Sequence, residues 1–116
     1  MSLKITVRET ADATILDLSG RITLGEGLGE LRDSIREALS GARKHIVLNL
    51  GQVGYIDSSG LGQLIGSYAT VTERGGQMKL VNLQKKVVDL MQITKLLTVF
   101  ETYPSEAAAL ASFAGK

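Results

Sequence analysis

Cysteine is absent from the 116-residue chain. That excludes a disulfide framework, a thiolate metal site and a cysteine nucleophile. Histidine occurs once, as His45, so no multi-histidine metal site can form and little remains for histidine-based acid–base work. Tryptophan is missing and aromatic residues make up only 4%, too few for a platform on which nucleic-acid bases stack. Neither sign of charge dominates. Thirteen basic residues stand against twelve acidic ones, a net charge of +1, which argues against a nucleic-acid binder with a basic face. No apolar run approaches the roughly 20 residues that span a bilayer. Lys4, Arg8 and Glu9 interrupt the N-terminus at once, unlike a secretory signal. The expectation is a cytoplasmic protein without membrane insertion.

What is present suits one folded unit, expected to occupy residues 1–116. Hydrophobic residues form 44% and charged residues 22%, ordinary for a globular domain. Leu3, Ile5 and Val7 alternate with Lys4, Thr6 and Arg8, a strand with one covered face. Thr14–Ser19 is a second strand ended by Gly20, close enough to the first for an antiparallel hairpin. Leu24, Leu28, Leu31, Ile35 and Leu39 form one apolar stripe of a helix of about four turns, stopped near Gly41. Gly25, Gly27 and Gly29 weaken its first turn, so the Arg21–Gly29 stretch reads as a loop.

The run 45–50 (His-Ile-Val-Leu-Asn-Leu) predicts a central strand covered on both faces, with Gly51–Asp57 leading away from it. A helix follows from about Ser59 to Arg74, with Leu61, Leu64, Ile65, Tyr68 and Val71 or Thr72 buried and Gly75-Gly76 as its stop. Met78–Val81 is a fourth strand. Asn82 is placed to cap a helix carrying Leu83, Val87, Leu90, Met91 and Thr94. Leu97–Phe100 reads as a short last strand, and Pro104-Ser105 opens a final helix through Phe113. The pattern predicts an α/β fold: a mixed, mostly parallel sheet of four to five strands with about four helices.

The informative stretch is 56–62, Ile-Asp-Ser-Ser-Gly-Leu-Gly, between a strand and a strong helix. Two hydroxyls and a carboxylate meet where backbone N–H groups lack intrahelical partners and favour an anion. A phosphate on Ser58 would gain from these donors, while Asp57 would repel it. The same residues also serve ordinary capping, and most serines at such positions only cap. Gly60, Gly62 and Gly66 have a quiet explanation too: close approach of the helix to the sheet. No catalytic residue is assigned. His45 begins the strand that Ser58 follows, roughly 20 Å away at 3.3 Å per residue, too far for a hydrogen bond. No G-x-x-x-x-G-K-[ST] phosphate loop is present.

The segments 45–50, 56–62 and 75–80, with Leu18-Ser19-Gly20 and Leu96–Phe100, resemble the STAS domain, more narrowly bacterial anti-sigma factor antagonists of the SpoIIAA and RsbV type. The resemblance spans nearly the whole chain and implies the STAS (SpoIIAA-like) fold. It implies a regulator that is not an enzyme and needs no cofactor or metal. Such an antagonist binds a cognate anti-sigma factor that is also a serine kinase of the GHKL type, and so frees a sigma factor. The kinase phosphorylates the serine after the Asp, here Ser58, which weakens binding; a serine phosphatase restores it. The implied partner surface is Thr23 with Asp57, Ser58, Ser59, Gly60, Leu61 and Gly62, on a monomer or weak dimer. The sequence departs from relatives at Thr23, where an acidic residue is common; Glu26 is a nearby acid that could substitute. Gln63, Ser67 and Thr70 are expected on the outer side of the same helix. Two other roles fit the resemblance: a stressosome or membrane-transport interaction module, and a small nucleotide-binding protein.

Overall fold

The computed structural model describes residues 3–25, 27–41 and 44–114; Glu26 lies outside them. The elements are β1 (Leu3–Glu9), β2 (Thr14–Ile22), α1 (Leu28–Leu39), β3 (His45–Ile56), α2 (Ser58–Glu73), β4 (Gln77–Val81), α3 (Lys85–Ile93), β5 (Glu101–Tyr103) and α4 (Glu106–Ala114). The five strands form one sheet in chain order, β1-β2-β3-β4-β5. β1 and β2 are the expected antiparallel hairpin, and every later pairing is parallel. β3 is central, as its apolar run predicts.

Strand alternation divides the interior into two layers. Leu16, Leu18, Ile46, Leu48 and Leu80 face the main core, which Leu31 and Ile35 of α1, Leu64 and Val71 of α2, and Val87 and Met91 of α3 complete. Ile15, Val47 and Val81 point the other way, onto Ala109 and Phe113 of α4. Lys79 shares that second face with its side chain fully buried. Its ammonium donates to the Ser112 hydroxyl, sits 3.3 Å from Glu101 and lies 4.3 Å from the centre of the Phe113 ring. His45 stacks on the same ring at 4.3 Å.

Several expected boundaries shift, each for a local reason. β2 does not stop at Gly20; it runs to Ile22, with Gly20 at φ 110° inside the strand. β3 does not stop at Leu50 but continues to Ile56. Against β2 it carries two extra residues: Asp17 to Ser19 spans Asn49 to Gln52, and Gly20 to Arg21 spans Val53 to Tyr55. Each extra residue shifts the alternation, so Leu50, Val53 and Ile56, spaced by three, all reach the main core. Leu24 is not in the α1 stripe. It is 75% exposed, and the helix starts only after Gly27, which takes φ 97° at the N-cap. Asn82 does not cap α3; it adopts φ 61° and donates from its amide to Asn49, while Gln84 holds the N-cap position. The last strand is Glu101–Tyr103 rather than Leu97–Phe100, which forms a turn that buries Phe100 and leaves Thr98 and Val99 exposed. Ile65 is 37% exposed, and its place in the buried stripe goes to Ser67.

Candidate functional site

The site forms where the parallel strands β2 and β3 end together. Their last residues, Ile22 and Ile56, are paired in register. The Asp57 N–H donates to the Ile22 carbonyl at 3.2 Å, which holds the start of α2 against the end of β2. Asp57 is the N-cap, with extended backbone. Its Oδ1 accepts from the Gly60 N–H at 2.8 Å. Its Oδ2 accepts from the Leu24 N–H at 3.0 Å, across the loop that joins β2 to α1. One carboxylate therefore caps the helix and ties down the Thr23–Leu24 backbone. The Leu24 bond, then the Gly60 bond, hold the Asp57 carboxyl below its ordinary value of 3.8, since both donors favour the charged form.

Because Asp57 does the capping, Ser58 is spared that task. Ser58 is the first residue of α2 and is exposed, and its hydroxyl makes no hydrogen bond among the described residues. Ser59 behind it is half-buried. Gly60 is buried for a steric reason. A Cβ there would stand 2.0 Å from the Ile22 carbonyl oxygen and 2.9 Å from Ile56 Cγ2. Gly62 and Gly66 have no such neighbour within 4 Å, so close approach to the sheet explains Gly60 alone. Leu61 is only 7% exposed. Gly60 and Leu61 thus shape the turn from beneath, while Thr23, Asp57, Ser58, Ser59 and Gly62 retain surface. On α2, Gln63 and Thr70 are half-buried and Ser67 is buried, its hydroxyl accepting from the Gln63 amide, so the outward face expected of them holds only in part.

A cavity of about 580 Å³ opens beside the turn. Asp57, Ser58 and Leu61 of the turn line it together with Tyr55 of β3 and with Lys86 and Leu90 of α3. Tyr55 is 55% exposed, a large apolar side chain left at the surface next to a free hydroxyl. Sequence reading did not select Tyr55 or Lys86. An aromatic residue two positions before Asp57 was the available signal for the first. Lys86 lies 28 positions after Ser58, and only the tertiary fold brings α3 alongside. His45 stays apart at the opposite end of β3, where its Nδ1 donates to the Asp12 carbonyl. Among the described residues no group of three or more acidic or histidine side chains could hold a metal ion. No helix among them is long and apolar enough to cross a membrane.

The family model for the STAS domain matches residues 4–109. The chain belongs to the STAS domain family. Among curated relatives, it is 30% identical over 111 residues to the anti-sigma F factor antagonist of Paenibacillus polymyxa, covering 95% of this chain and 94% of that protein. It is 28% identical over 101 residues to the anti-sigma-B factor antagonist of Bacillus subtilis strain 168, covering 87% and 91%. The fold matches the crystal structure of an anti-sigma factor antagonist from Mycobacterium paratuberculosis with a TM-score of 0.82, at 22% identity, over 96% of this chain and 93% of that one. The expected family and the mixed five-stranded STAS fold with four helices are both met. Asp57, Ser58, Ser59 and Gly62 share one surface of this STAS domain with the Thr23–Leu24 segment, which lies far from them in sequence.

Proposed function

We propose that this chain is an anti-sigma factor antagonist, a single STAS domain over residues 1–116 that acts by binding rather than by catalysis. Its partner is a cytoplasmic anti-sigma factor that is also a serine kinase, and its binding frees a sigma factor. Ser58 is the switch. In the modification, the Ser58 oxygen forms a bond to the γ-phosphorus of ATP as the bond to ADP breaks, and the hydroxyl proton leaves to a base of the kinase. A serine phosphatase reverses the change by hydrolysis.

One observation carries the reading: Asp57 caps the helix through the Gly60 N–H and holds the Leu24 N–H, while the neighbouring Ser58 hydroxyl is exposed and uncommitted. The names of the relatives, two antagonists of anti-sigma factors, support the same assignment. The contact surface is Thr23, Asp57, Ser58, Ser59 and Gly62, held in place by Gly60 and Leu61. Phosphorylation takes the net charge from +1 to about −0.5 to −1 and places the new charge in that surface. The effect is desolvation and repulsion at the interface, without refolding.

The test is incubation with the cognate kinase and ATP, then location of the phosphate by mass spectrometry. Ser58→Ala should lose the label and keep binding the kinase. Ser58→Asp should weaken binding by roughly 1–2 kcal/mol if the site is desolvated in the complex. Label that persists on Ser59 in Ser58→Ala would move the switch, and failure of the unmodified protein to bind any such kinase would reject the assignment.

A further inference from the structure

Ser58 of α2 and Lys86 of α3 line the same cavity. The two lysines that open α3 differ in their surroundings. Lys85 is paired with Asp89 at 2.9 Å and is 88% exposed at its side chain. Lys86 has no ion pair or hydrogen bond among the described residues. It also lines a second hollow with Arg21 and Tyr55, on the side of the cavity nearest β2. Among the described residues, the charged and titratable groups that line the cavity with Ser58 are Asp57 on its own turn, Tyr55 from β3 and Lys86 from α3, and Arg21 from β2 joins the last two in the adjoining hollow. Asp57 is already committed to two backbone donors. Lys86 is a cation without an anion among the described residues, and it lines the cavity of a residue that acquires one.

We propose that phosphate on Ser58 is captured by Lys86 within the cavity that both residues line, tying α2 to α3 in the modified domain. The inference rests on Ser58 being the modified residue. A phosphate carries three strong acceptor oxygens, and an ammonium lining the same cavity offers charge-assisted hydrogen bonds to them. The clasp adds a second effect to repulsion. It ties α3 to the α2 N-terminus in the cavity that Leu61 and Leu90 also line. Repulsion alone needs no residue on α3; the clasp does.

The experiment uses the full chain with phosphoserine encoded at position 58, so no kinase is needed. The phosphorus NMR signal is titrated through the second phosphate ionisation in this protein and in its Lys86→Ala and Lys85→Ala variants. Capture lowers the midpoint by about half a pH unit or more, because the ammonium favours the dianion. Lys86→Ala should return the midpoint toward that of a free phosphoserine, and Lys85→Ala should leave it low. Equal midpoints in the unsubstituted and Lys86→Ala proteins would overturn the clasp, as would an equal loss in Lys85→Ala. Neither result touches the choice of Ser58, which fails separately if the kinase labels another residue.

Discussion

Asp57 is the residue on which the site turns, and its ionisation couples the turn to pH. Its carboxyl is held below 3.8 first by the Leu24 N–H and then by the Gly60 N–H. A lowered value in the fold means stability that is complete above 3.8 and is lost as pH falls through the folded value. Urea unfolding of the wild type and Asp57→Asn across this range should show a gap that is full near neutrality and shrinks in acid. A gap unchanged at the lowest pH would mean the charge is not what counts. Glycines nearby separate into two kinds. Gly60→Ala forces a Cβ onto the Ile22 carbonyl and should cost about 2 kcal/mol or more. Gly66→Ala meets open space within a helix and should stabilise by roughly 0.5–1 kcal/mol. Thermal melts of the two variants, moving in opposite directions, check both. The sequence alone treats these glycines alike, because the carbonyl that forbids a side chain at position 60 belongs to a strand 38 residues earlier.

Among the elements, β3 shows where periodicity stops being readable. Up to Leu50 the strand keeps its alternation, and the segment is legible as a central strand. Beyond it, Val53 and Ile56 follow at intervals of three, which resembles neither a regular strand nor a helix. Two extra residues in the ladder with β2 account for the spacing, and such irregularities depend on the partner strand. Leu24 misled in the opposite direction. It continues the spacing of the α1 stripe, but Gly25 and Gly27, at φ 109° and 97°, break the chain before the helix starts. α4 is held by a group whose burial nothing local announces. Lys79 sits in a strand of five residues with its ammonium enclosed by Ser112, Glu101 and Phe113. Lys79→Met preserves the volume and should cost less than about 1.5 kcal/mol. Lys79→Ala leaves a void and should cost about 2–4 kcal/mol. Denaturant midpoints at constant slope distinguish the two.

For the molecule as a whole, the proposed switch is local. Ser58 is exposed, outside both cores, and its hydroxyl holds nothing together. Ser58→Asp should therefore leave the unfolding free energy within about 0.5 kcal/mol of wild type while its affinity for the partner falls. Circular dichroism melts beside a binding titration read both quantities. Loss of stability in step with affinity would show that the turn is structural. The order of strands and helices, the hairpin, the central position of β3 and the helix beginning beside Ser58 were all legible from hydrophobic period and turn residues, which act within a few residues along the chain. Family membership was legible too, through the block at 56–62. What the tertiary structure alone decided is which groups surround that block: the Leu24 N–H on Asp57, the Ile22 carbonyl over Gly60, and Lys86 in the cavity that Ser58 also lines. Those neighbours come from β2, its following loop and α3, and no local rule of spacing carries information about how separate elements pack.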